Sequence, residues 1–161
     1  MKADDVNVFV QAATSVFEQE LGVQLKRQSI TRKELPIPGR PICIVLGITG
    51  ALRGQVVYAL DEQFAMDIAR ALLPNKLPSE QRKLMKSAVG EIGNIVTGQA
   101  TIKLAGSDRR LDLTPPTVVT GKELELDFLS IPTVSLQMLS TMGALEINVA
   151  LQETNGAEGG S

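Results

Sequence analysis

The 161-residue chain contains no histidine and no tryptophan, and its one cysteine is Cys43. Each absence removes a class of chemistry. Without histidine there is no Ser-His-Asp triad, no imidazole base and none of the commonest metal ligand. A lone cysteine permits neither an internal disulfide nor a cysteine-based metal cluster. Cys43 lies in the apolar run PICIVLGI, where a small buried hydrophobe is expected. One tyrosine and four phenylalanines do not make a base-stacking platform, and a formal net charge of −2 argues against nucleic acid as a partner. No apolar run is long enough to span a bilayer and no basic-then-apolar leader opens the chain, so no membrane association and a cytoplasmic location are expected. What is present, 43% hydrophobic and 21% charged residues, is the balance of a soluble domain with a sizeable core.

The most informative stretch runs from Ser79 to Ala105, SEQRKLMKSAVGEIGNIVTGQATIKLA. Ser79 suits an N-cap, Glu80 the first turn and Gly106 the stop. Leu84, Ala88, Ile92, Ile95, Gln99 and Ile102 recur at helical spacing and predict the buried stripe of a helix roughly 40 Å long. On the opposite side Ser87, Glu91, Asn94, Gly98 and Thr101 form a second strip, with Gly90 beside it. A solvated helix face is normally rich in Lys, Glu and Arg, whereas this one is small residues around one acid and one amide. Gly90, Gly93 and Gly98 each cost about 1 kcal/mol relative to alanine. Two readings account for that cost: close packing within the fold, or close approach of a partner to Glu91 and Asn94.

The rest of the chain predicts an α+β fold, a mostly antiparallel sheet covered by about three helices including the long one. Residues 4–21 form the first helix, with Val6, Phe9, Val10, Ala13, Phe17 and Leu21 inward and Gly22 at its end. Residues 23–33 begin the sheet, and Pro36, Pro38, Gly39 and Pro41 mark a loop. Ile42–Ile48 and Gln55–Leu60 form a hairpin; its glycines match no phosphate-loop spacing. Asp61 starts a short helix that Pro74 stops. Strands follow at 118–119, 123–128 (half-exposed), 134–138 and 145–151. The sequence Gly50-Ala51-Leu52 returns as Gly143-Ala144-Leu145, which suits a fold of two related halves. Residues 1–153 are expected to be one domain and 154–161 a disordered tail.

The usual catalytic parts are missing, so Glu91 and Asn94 carry the chemistry that can be read. An amide donates and accepts at once, and can hold a water in line with a phosphoryl group. A glutamate beside it can pair with a partner's cation. Such a site leaves the phosphorylated residue and any metal to another protein.

Ser87-Ala-Val-Gly-Glu91-Ile-Gly-Asn94, followed by Ile-Val-Thr-Gly-Gln-Ala, resembles the active helix of the CheC/CheX/FliY chemotaxis phosphatases, with Pro115 or Pro116 as the motif's later proline. The resemblance covers roughly residues 4–151. One Glu-x-x-Asn in a helical context is more like CheX than the two-site CheC and FliY members. It implies a phosphatase of a phosphorylated CheY-like receiver domain. Asn94 would position the water and Glu91 would engage the receiver's lysine. Ser87, Gly90, Gly98 and Thr101 would border the partner, whose Mg²⁺ would serve in place of any cofactor of its own. It also implies a homodimer through sheet edges. The alternative is a non-catalytic scaffold of the same fold, related to flagellar switch proteins.

Overall fold

The computed structural model describes residues 2–128 and 131–154. Four helices and nine strands are found there: α1 (Ala3–Leu21), β1 (Lys26–Lys33), β2 (Ile37–Pro38), β3 (Ile42–Gly50), β4 (Leu52–Leu60), α2 (Glu62–Leu72), α3 (Pro78–Lys83), α4 (Met85–Ala105), β5 (Leu111–Leu113), β6 (Thr117–Thr120), β7 (Glu125–Leu126), β8 (Thr133–Ser140) and β9 (Gly143–Glu153). The main sheet is antiparallel in the order β1-β8-β9-β4-β3-β5, with β6 also paired to β3; β2 and β7 make a separate two-stranded ribbon. The helices cover one face, giving the α+β architecture that the residue pattern predicts.

The order reads nearly the same from either side. A helix, an edge strand, a two-residue strand and a hairpin occur twice: α1, β1, β2, β3–β4, then α4, β5–β6, β7, β8–β9. The hairpins meet at the centre through β4 and β9, and β2 pairs with β7. The repeated Gly-Ala-Leu falls at the two hairpin turns. Gly50 and Gly143 have φ of 111° and 144°, backbone that side chains resist, so both turns need glycine.

The core lies between helices and sheet. Phe9, Phe17, Phe64, Leu46, Leu60, Leu136 and Met138 are fully buried there. Val6, Phe9, Ala13 and Phe17 of α1 point inward as their spacing predicts, and Gly22 closes the helix at φ 66°. A smaller apolar cluster of Ile37, Cys43, Val57, Ala59, Phe128 and Ala150 fills the opposite face of the sheet. Burial there raises the Cys43 thiol above its ordinary 9.0 and Glu146 adds to the shift; its S–H donates to the Arg40 carbonyl.

The expectations for the long helix and for the strand at 123–128 need correction. The long helix is broken: Leu84 has φ −96° and ψ 4°, which separates α3 from α4, and the start is capped at Leu77 with Pro78 in the first turn rather than by Ser79. Gln81 explains the bend, because its buried side chain donates to the Leu73 carbonyl at 2.9 Å and ties α3 to the end of α2. The expected strand at 123–128 shrinks to β7, since Glu123 at φ 55° turns the chain. The tail expected at 154–161 lies outside the described residues except for Thr154, whose N–H donates to Ala51 O.

Candidate active site

Helix α4 lies on the sheet and packs against both α1 and α2. Its buried face is Met85, Ala88, Val89, Ile92, Gly93, Val96, Thr97, Ala100 and Leu104. The predicted stripe was rotated from this by part of a turn. Ala88 and Ile92 are buried, Ile95 and Gln99 are half-buried, and Leu84 and Ile102 are exposed, Ile102 by 74%. The error has a physical source. Glycine, threonine and alanine at 93, 97 and 100 do not register as apolar anchors, yet their small size lets the helix lie against the sheet.

The three helical glycines meet three different surroundings. At Gly93 an added Cβ would stand 2.9 Å from Ile44 Cγ2 and 3.4 Å from Tyr58 Cδ2, so this glycine is demanded by the sheet beneath it. At Gly90 a Cβ would find Val118 at 3.5 Å and Pro116 at 3.7 Å, ordinary contact. At Gly98 it would meet nothing within 4 Å. Close packing explains Gly93 and leaves Gly98 without an internal cause.

A buried relay fixes the helix at this level. Thr97 Oγ1 donates to the Gly93 carbonyl at 2.7 Å, so the Tyr58 hydroxyl, also 2.7 Å away, donates to Thr97. Both side chains are buried, and burial pushes the Tyr58 phenol well above its ordinary 10.0. Tyr58, the chain's one tyrosine, and Thr97 carried no legible signal as a pair, since 39 residues separate them. The carbonyl they hold, that of Gly93, immediately precedes Asn94.

Glu91 is exposed and Asn94 is half-buried on the outer side of this clamped turn. Among the described residues neither side chain has a hydrogen-bonding or ionic partner. Ser87 is exposed one turn before Glu91, and Gly98 is half-buried one turn after Asn94. Gly90 is buried under Pro116, the half-buried member of the Pro115-Pro116 pair. That loop is held by Thr114, whose Oγ1 accepts from Gly47 N at 2.8 Å and whose own N–H donates to Gly47 O at 3.0 Å. Thr101 is buried, and its hydroxyl donates to Gly98 O at 2.9 Å, so it offers the outer face no free group. Among the described residues no group of three or more Asp, Glu or Cys side chains could hold a metal ion, and no helix is long and apolar enough to cross a membrane. The arrangement can orient a water with an amide and meet a cation with a carboxylate.

The sequence model described as Chemotaxis phosphatase CheX matches residues 42–138. The CheY-P phosphatase CheX of Thermotoga maritima is 30% identical over 127 residues, 78% of this chain and 81% of that protein. The crystal structure of the chemotaxis protein CheX from Vibrio vulnificus superimposes with a TM-score of 0.77 at 29% identity, covering 93% of this chain and all of that one. The CheX–CheY–BeF₃–Mg²⁺ complex of Borrelia burgdorferi matches with a TM-score of 0.79 at 21% identity, over 94% of this chain and 100% of that chain. The matched segment contains Glu91 and Asn94 and takes in more than half of the sequence, and the chain belongs to the CheX family of CheC-like chemotaxis phosphatases.

Proposed function

We propose that this chain is a phosphatase of a phosphorylated CheY-type response regulator, with Asn94 and Glu91 as its working side chains. The observation that carries the proposal is the unpartnered amide and carboxylate on the outer face of a helix turn clamped from beneath by Tyr58 and Thr97. Asn94 accepts from and donates to the attacking water, holding it in line with the phosphorus. Glu91 pairs with the lysine of the receiver site and sets the angle of approach. Water adds to phosphorus, the bond between phosphorus and the aspartyl oxygen breaks, and the products are a free carboxylate, inorganic phosphate and a proton. The regulator brings its own Mg²⁺, and this chain brings no cofactor. The names of the relatives support this reading: one is a CheY-P phosphatase and another crystallised with CheY, BeF₃ and Mg²⁺.

A cytoplasmic location and a homodimer formed through sheet edges go with the proposal; sedimentation of the purified chain tests the second. The central test mixes the protein with a receiver domain phosphorylated by acetyl phosphate in the presence of Mg²⁺ and follows phosphate release. Turnover that Asn94→Ala abolishes supports the assignment. No acceleration by the parent chain would leave the scaffold reading in its place.

A further inference from the structure

Ile102 is the most exposed of the large hydrophobic side chains on the described surface, at 74%. On a helix of 3.6 residues per turn it falls about 20° from the direction of Glu91, about 40° from Gly98 and about 80° from Asn94, at one edge of the strip they form. Eight residues beyond Asn94, it stands roughly 12 Å along the axis from the amide. Between them lies Gly98, with open space where a side chain would project. A β-branched residue on a solvated helix face and a glycine one turn earlier are both poor helix choices. Their common feature is the face that carries the working pair.

We propose that Ile102 is the apolar anchor by which the phosphorylated receiver domain docks, Gly98 being the floor over which that domain passes to reach Asn94. The inference rests on the function proposed above. Its occupant is the receiver because Ile102 borders the strip of Glu91, Asn94 and the open Gly98, so a body seated on the pair and passing over Gly98 reaches it. The receiver therefore presents an apolar surface displaced about 12 Å along the helix axis from its acyl phosphate and offset around the helix by about 80°.

The experiment measures steady-state hydrolysis of a phosphorylated CheY-type receiver, and separately the affinity for the same receiver loaded with beryllofluoride and Mg²⁺. Ile102→Ser should raise KM and the dissociation constant about tenfold, the value of roughly one buried aliphatic side chain, with kcat within twofold. Gly98→Ala should raise the melting temperature, because the helix gains and nothing is struck, while weakening receiver affinity severalfold. That opposition of stability and affinity is not produced by a structural role. Unchanged KM and affinity in Ile102→Ser, with Asn94→Ala inactive, would overturn the anchor and leave the proposed function standing. Failure of the parent chain to hydrolyse or bind the receiver would remove both.

Discussion

Helices α1 and α4 occupy equivalent places in the two halves of the fold, and their differences separate what the fold needs from what it does not. Counted back from the glycines that end them, Gly22 and Gly106, Val6 corresponds to Gly90, Phe9 to Gly93 and Ala13 to Thr97, and all six are buried. α1 fills the space above the sheet with a phenyl ring, whereas α4 removes its side chain and comes down onto Ile44 and Tyr58. On the outer side the same count sets Asn7 against Glu91 and Val10 against Asn94. α1 therefore has no acid–amide pair, and the scaffold stands without one. The pair on α4 is an addition to an architecture that does not require it.

The largest expected effect separates chemistry from scaffold. Asn94→Ala should lower regulator dephosphorylation on the order of a hundredfold or more, the cost of losing one aligned polar group at a reacting centre, while circular dichroism stays that of the parent. Retained activity would make α4 as inert as α1. Next, Gly93→Ala should destabilise the chain by about 1–3 kcal/mol in urea titration, because Ile44 must give way to the new methyl. Gly90→Ala, meeting only ordinary contacts with Val118 and Pro116, should be neutral or stabilising by up to about 1 kcal/mol. Equal losses at both positions would deny that α4 is held down at one point.

Tyr58→Phe should cost about 1 kcal/mol by removing the bond to Thr97. It should also change the alkaline limb. The folded-state phenol is raised above its unfolded value near 10, so its contribution to stability is complete below about pH 10 and is lost as pH rises beyond. The raised Cys43 thiol acts in the same direction from about pH 9 upward. Melting curves between pH 8 and 11 should therefore fall more steeply for the parent than for Tyr58→Phe; parallel curves would contradict the buried phenol.

Much of this was legible in the residues. Long periodic stretches mark α1 and α2, alternation marks β8, and the motif singles out Glu91 and Asn94. What was hidden depended on contacts distant in sequence. The break at Leu84 follows from Gln81 reaching the end of α2, and the burial of Thr97 follows from Tyr58 on β4. Isoleucine at helical spacing is the ordinary mark of a core position, so the pattern places Ile102 inward, and its exposure appears only when the sheet fixes the helix's rotation. The β2–β7 ribbon joins two-residue strands, too short for any pattern to reveal.

The clamp beneath Gly93 has a further implication. A threonine tied both to its own helix and to a tyrosine of the adjacent strand leaves that turn little freedom to shift or rotate. Recognition should then resemble a key meeting a fixed lock, with any accommodation falling on the visiting domain. Superposition of bound and unbound forms should show this turn displaced by less than about 1 Å, and a larger excursion would mean the bolt can be drawn.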